Sequence, residues 1–106
     1  MIEIPYTDDH SRNQERRNQA LWMPCVVCGR AVKSPRSAML RVFWGSHIVT
    51  EAEAKEIIGR EGEGGDLLYY PIGPDCLRNN PALQCYADDA RRLMDLWRAQ
   101  EEAKET

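Results

Sequence analysis

The sequence lacks any apolar run that approaches the roughly 18 residues of a membrane-spanning helix. Its first nine residues contain no basic stretch followed by an apolar segment, so they do not indicate a secretory signal. Aromatic residues are scarce, at 8% with a single Phe, and only two His occur among 106 residues. We therefore expect a single small cytoplasmic domain spanning 1–106, with a modest apolar core and no membrane contact.

An excess of positive charge is also missing, because 17 acidic residues face 14 basic ones and the net charge is -3. A globally basic nucleic-acid binder is thereby excluded. The charge is uneven, however: residues 12–41 carry seven basic side chains and Glu15 as the one acid. This basic segment makes nucleic-acid or partner binding a second hypothesis. Its candidate contact residues are Arg12, Arg16, Arg17, Arg30, Lys33 and Arg36.

The common enzyme signatures are absent. No His-Glu-x-x-His occurs, and Pro24-Cys25 is not preceded by the His-x-Glu half of a zinc deaminase. The glycine-rich stretch 62–65 contains Glu63, which suits phosphate poorly. We expect no catalytic residues and no enzyme activity. A zinc-dependent nuclease or hydrolase is kept as a third hypothesis, after a binding module and a nucleic-acid binder.

Hydrophobic periodicity and capping signals predict an α+β fold. Thr50 and Glu53 form a capping box, and Gly59 is expected to end the helix that it opens. Tyr86, Ala90 and Trp97 follow helical spacing. The predicted elements are a polar helix over 8–22, strands over 38–44, 47–49 and 67–70, a short helix over 51–58 and an amphipathic helix over 86–102.

Four cysteines stand out in a chain expected to be cytoplasmic, where thiols stay reduced and paired cysteines more often bind metal. Cys25-x-x-Cys28-Gly29 has the spacing of a zinc knuckle, in which a tight turn aims two thiolates at one ion. Cys76 follows Asp75, which is a natural helix N-cap, so Cys76 is expected in the first turn of a helix.

Structural zinc takes four ligands in a tetrahedral array. Cys25, Cys28 and Cys76 supply three, and we favour His47 on the predicted hairpin as the fourth, with Cys85 as the alternative and His10 as a third candidate. A knuckle, a hairpin and a ligand at a helix start together predict a treble-clef-like core over 24–80 that binds Zn²⁺.

Two stretches, Cys-Val-Val-Cys-Gly-Arg at 25–30 and Tyr-Pro-Ile-Gly-Pro-Asp-Cys-Leu at 70–77, carry a family resemblance. With Gly65-Asp66 between them, the chain resembles small uncharacterised zinc-finger-like proteins encoded by phages and prophages. The resemblance implies a zinc site at Cys25, Cys28 and Cys76, and no activity. A phage origin would favour a protein that binds a host complex, for example an anti-CRISPR or another anti-defence inhibitor. The leading hypothesis is therefore a non-enzymatic zinc-binding interaction module.

Overall fold

The computed structural model describes residues 1–16, 24–32 and 38–105. Its strands are β1 (Ile2–Glu3), β2 (Met39–Phe43), β3 (His47–Val49) and β4 (Asp66–Pro71). Its helices are α1 (His10–Arg16), α2 (Glu51–Glu61), α3 (Pro74–Asn79) and α4 (Gln84–Glu105), with a 3₁₀ turn at Pro81–Leu83 before α4. The α+β class is confirmed. In the described segments, no helix combines the length and the apolarity needed to cross a membrane.

The four strands form one antiparallel sheet in the order β1-β3-β2-β4. The hairpin of β2 and β3 was expected at almost these residues, and β4 extends the expected strand by one residue at each end. The short edge strand β1, in which Ile2 pairs with Ile48, was not predicted. No pattern in the sequence indicates it.

The sheet separates two apolar clusters, because successive side chains of a strand point to opposite faces. On one face Leu40, Val42 and Ile48 pack with the segment 25–27 and with Ala87 of α4. On the other face the buried side chains of Phe43 and Val49 pack with those of Ala54 and Ile57 from α2. The cysteine loop therefore belongs to the first face, and α2 covers the second.

Helix α2 begins as expected, since the Thr50 side chain accepts from the Glu53 N–H and the Glu53 carboxylate accepts from the Thr50 N–H. The expected stop at Gly59 is wrong. The helix continues to Glu61 and ends at Gly62, whose φ of 82° is one that glycine adopts at little cost. A glycine inside a helix weakens it without necessarily ending it.

The two terminal helices differ from their expected bounds. Helix α1 begins at His10 rather than at residue 8, because residues 8–9 form a turn in which the Thr7 carbonyl accepts from the His10 N–H at 3.1 Å. The part of the predicted polar helix at 17–22 lies outside the described residues. Helix α4 starts two residues earlier than expected and runs three residues further.

Strand β4 contains a bulge, since the register with β2 shifts between Arg41 and Phe43. At the bulge Leu68 adopts a φ of 66°, in the left-handed region that bulky residues rarely occupy. The bulge sets Asp66 opposite Phe43 and Tyr69 opposite Arg41. It thus aims an acidic side chain at Arg41.

Candidate metal centre

The first two cysteines bracket a tight turn at residues 26–28: Cys25 precedes it and Cys28 ends it. The Cys25 N–H donates to the Arg30 carbonyl at 2.7 Å, and the Gly29 N–H donates to the Cys25 carbonyl at 2.9 Å. Gly29 has a φ of 78°, which closes the turn at a position where a side chain would be strained. The knuckle expected from Cys-x-x-Cys-Gly is therefore present as local backbone geometry.

The third cysteine reaches the knuckle because β4 leads directly past it. The Val26 N–H donates to the Pro71 carbonyl at 2.9 Å, and the Gly73 N–H donates to Cys25 Sγ at 3.2 Å. Helix α3 then places Cys76 in its first turn, as expected. The expected Asp75 N-cap is wrong: Gly73 holds that position, and Pro74 occupies the first helical turn.

The Sγ atoms of Cys25, Cys28 and Cys76 all lie within 4.8 Å of one another. All three cysteines are free thiols; Cys25 is buried, and the other two are half-buried. Such a group of three thiols can hold a metal ion, because thiolates at this separation can all face one centre.

Cys25 and Cys76 differ in their acidity. Burial raises the pKa of Cys25, but backbone N–H donors, first that of Gly73, outweigh it, so the net pKa is lowered. Burial, followed by the negative charge at Cys25, raises the pKa of Cys76 to about 12. With protein groups alone, Cys25 is thus the more acidic of these two thiols and Cys76 is held protonated. A divalent cation would reverse this by binding all three as thiolates and releasing protons.

His47, the favoured fourth ligand, is not brought to this cluster. It pairs with Phe43 at one end of β2, whereas Pro71, which leads to the cysteines, pairs with Met39 at the other end. Four residues of strand separate these ends by about 14 Å. Its neighbour Ile48 faces the cysteine side of the sheet, so His47 faces the other side.

The contacts of His47 agree with that placement. Its Nδ1 lies 2.7 Å from Ser46 Oγ, and its ring packs edge-on against Trp44. The alternative ligand Cys85 is exposed on α4, where its Sγ lies 3.6 Å from the Ala82 carbonyl. Neither residue belongs to the group of close ligand atoms.

A cavity of about 570 Å³ opens directly onto the three cysteines. Its wall includes Asp9 and Asn13 from the start of the chain, Arg30 beyond the knuckle, and Asp75 beside Cys76. Asn13 was not expected here. Its Nδ2 donates to the Cys28 carbonyl at 2.8 Å, which fixes α1 beside the knuckle. The sequence did not predict this contact, because α1 has no apolar stripe that would indicate which of its faces is packed.

The basic segment 12–41 is only partly described. Arg12 is exposed and lies 3.6 Å from Asp9, and Arg30 is exposed at the cavity wall. Arg17, Lys33 and Arg36 lie outside the described residues, as does the side chain of Arg16. Arg41 closes the segment in the sequence, but its side chain is only 14% exposed and is held by two acids.

Those acids belong to a second polar cluster that the sequence did not indicate. Arg41 donates to both oxygens of Asp66 and, at 2.6 Å, to Glu51, whose other oxygen accepts from the Tyr69 hydroxyl. Hydrogen bonding to Asp66 raises the pKa of Arg41 further above its ordinary value and lowers that of Asp66. Arg41 is therefore a structural residue and is removed from the basic surface.

Comparison with known proteins adds no assignment: no protein-family model, no curated protein and no solved structure matches this chain. The geometry of the three cysteines therefore carries the functional argument by itself.

Proposed function

We propose that this protein is a zinc-binding module in which one Zn²⁺ joins the knuckle to the start of α3. The convergence of Cys25, Cys28 and Cys76 within 4.8 Å carries this proposal. The three residues come from segments 48 positions apart, and in the described chain no disulfide joins them. A bound ion would fasten these segments, which in the described chain are joined by the Val26 N–H bond to the Pro71 carbonyl and the Gly73 N–H bond to Cys25 Sγ.

Zinc is the metal that this donor set fits best. Thiolates are soft ligands that favour zinc over magnesium or calcium, and zinc accepts tetrahedral sites rich in cysteine. Knuckle, β2-β3 hairpin and α3 follow one another in the order of a treble-clef-like site, which is the finer architecture that we propose.

The module acts by binding a partner rather than by catalysis. Trp44 and Leu68 support this role, since both are bulky, about half exposed and held at positive φ. Backbone strain of this kind costs about 1 kcal/mol or more per residue. At Leu68 it belongs to the bulge that brings Asp66 to Arg41, and the Trp44 ring packs edge-on against the buried Phe43, so the exposed parts of both side chains are what remain for a partner. The resemblance noted above extends the proposal to a phage-encoded protein that inhibits a host complex.

Metal analysis of the purified protein tests the zinc proposal. We expect close to one equivalent of zinc in the wild type and in Cys85→Ser, and almost none in Cys76→Ser. Cys85→Ser is the matched control because it removes an exposed thiol outside the cluster. A wild-type protein that binds less than half an equivalent after refolding with excess zinc would refute the site.

Affinity capture from a bacterial lysate tests the binding role. Leu68→Gly removes the exposed side chain and relieves the strained φ, so its stability should equal or exceed that of the wild type. A lysate protein that is retained by the wild type and lost by Leu68→Gly would support Leu68 as part of the partner-binding surface. Equal retention by both would contradict the role of Leu68.

A further inference from the structure

The chain does not complete a zinc site with its own cysteine and histidine side chains. All four Cys and both His lie in the described segments, and three of these six side chains converge. The other three are engaged elsewhere: His47 and Cys85 as described above, and His10 edge-on against the Tyr6 ring with centroids 4.6 Å apart. Since zinc takes four ligands, one coordination position is left for another donor.

Among the side chains that the structure describes, the carboxylates near the cluster do not fill that position. Asp9 and Asp75 line the cavity, but their oxygens do not belong to the group of close ligand atoms. The side chain of Asp9 is 58% exposed and lies 3.6 Å from Arg12, and that of Asp75 is 84% exposed and lies 3.2 Å from Arg78. Each acid is thus paired with an arginine three residues further along the chain.

The open side of the cluster faces the cavity. At about 570 Å³, the cavity falls within the size range of pockets that take small molecules or inserted side chains, so it exceeds what one zinc-bound water needs. The described wall of the cavity therefore leaves room for a further donor group beside the three sulfurs.

Charge selects the class of that donor. Three thiolates and Zn²⁺ already carry a net charge of about -1. Of the described residues in the cavity wall, Asp9 and Asp75 are acidic and Arg30 is basic, and each acid is paired with an arginine of its own segment. A fourth anionic ligand would gather further negative charge at a half-buried site. A neutral imidazole nitrogen adds none and completes the common Cys₃His set.

We propose that the fourth zinc ligand is the imidazole of a histidine on a bound partner protein, inserted through the cavity. The inference rests on the proposed zinc site and extends it: the metal that stabilises the module is also part of its binding surface. The partner would present an exposed histidine on a protrusion small enough to enter the cavity.

Cobalt-substituted protein provides the test, because the d–d absorption of tetrahedral Co²⁺ changes when a ligand is exchanged. The probe is free imidazole, with acetate and 2-mercaptoethanol as competing donor classes. We expect a saturable spectral change with imidazole, at an affinity about tenfold or more above that for acetate. No change with imidazole, or tighter binding of the thiol, would overturn the proposal.

Two sets of variants separate the possible failures. His10→Ala and His47→Ala should leave the starting Co²⁺ spectrum and the imidazole titration unchanged. A spectrum altered in either variant before imidazole is added would show an internal histidine ligand, or one from a second copy, and would refute the inference. Absence of Co²⁺ absorption in the wild type would instead refute the zinc site itself, with Cys76→Ser as the reference for an empty site.

Discussion

The cysteine cluster (Cys25, Cys28 and Cys76) and the Arg41 cluster (Arg41, Glu51, Asp66 and Tyr69) both connect distant segments of the chain, but by different chemistry. Each joins segments that are far apart in the sequence, the first by bringing 25–28 to 73–76, the second by bringing β2 to α2 and β4. The Arg41 cluster is complete in protein groups, since each charged group has an opposite charge within hydrogen-bonding distance. The cysteine cluster is not, because its three thiols can all ionise only around a cation.

The difference separates what the chain stabilises alone from what it stabilises with an added ion. Arg41, Asp66 and Glu51 are largely buried and would be costly to leave without partners, so their network favours the native arrangement with no cofactor. Cys25 already packs in the apolar core, but the three thiols join their two segments as ligands only when a metal binds. The two faces of the sheet should therefore respond to different treatments.

Metal removal should have the largest effect. With free zinc about a thousandfold above the Kd, binding adds about 4 kcal/mol to the free energy of unfolding. A chelator should lower the melting temperature of the wild type and of Cys85→Ser by the corresponding amount, measured by circular dichroism. Cys28→Ser should melt at the lower temperature with or without chelator. If chelator left the melting temperature of the wild type unchanged, the cysteine cluster would need no metal, and the proposed difference between the two clusters would be wrong.

Arg41→Met should have the next largest effect and should not depend on metal. It keeps most of the apolar stem but leaves Asp66, whose side chain is 8% exposed, without its counter-ion. Such a loss costs about 3 kcal/mol, measurable by urea unfolding. Arg91→Met is the matched control, since Arg91 is 83% exposed and its pair with Asp95 is worth less than about 1 kcal/mol.

Measuring how much stability Arg41→Met loses on adding chelator tests the same variant in a second way. Because the two clusters lie on opposite faces of the sheet, the stability lost on adding chelator should be equal in Arg41→Met and in wild type. A chelator effect reduced by half or more would show that the clusters are coupled.

Acidification should weaken the Arg41 cluster by a smaller amount. The hydrogen bond from Arg41 lowers the pKa of Asp66 below its ordinary 3.8. The resulting stability is present above pH 3.8 and is lost as the pH falls through the native pKa. In urea titrations with chelator present, wild type and Asp66→Asn should differ most near neutral pH and converge as the pH falls through the lowered native pKa of Asp66. Parallel curves over the whole range would contradict the assignment.

Helix α2, which carries Glu51, allows the smallest and most selective change. Gly59 lies in the helix interior, and a Cβ there would meet no atom within 4 Å. Gly59→Ala should raise stability by about 0.5–1 kcal/mol, equally with and without zinc. Gly62→Ala, at a φ of 82°, should lower stability instead. A gain in both variants would contradict the observed end of α2.

The sequence predicted the parts of the fold that depend on nearby residues. The Thr50 capping box, the β2-β3 hairpin and the knuckle each require residue types within a few positions, so their patterns are visible in one dimension. The start of α1 was misjudged because residues 8–9 form a turn, and the N-cap of α3 because Gly73 takes that position without a side-chain hydrogen bond. Strand β1 escaped prediction, since two residues carry no periodicity.

Within the candidate site, the sequence named the three cysteines that converge but chose His47 as the fourth ligand from spacing alone. Spacing does not tell which face of a sheet a residue occupies or at which end of a strand it lies. Both depend on register, and the register of β2 with β3 and β4 sets His47 on the far face and at the far end. The same limit concealed Asn13, whose contact joins two segments without a shared pattern.

By itself, then, the sequence determined the class of fold, the knuckle and the identity of three thiols, because local sterics and side-chain chemistry act over short stretches of chain. Tertiary structure alone decided that Arg41 belongs to a buried ion network and not to a basic surface, and that the thiols face a cavity without a fourth Cys or His beside them. These outcomes depend on strand register and on the bulge at Leu68, which arise from pairing between distant segments.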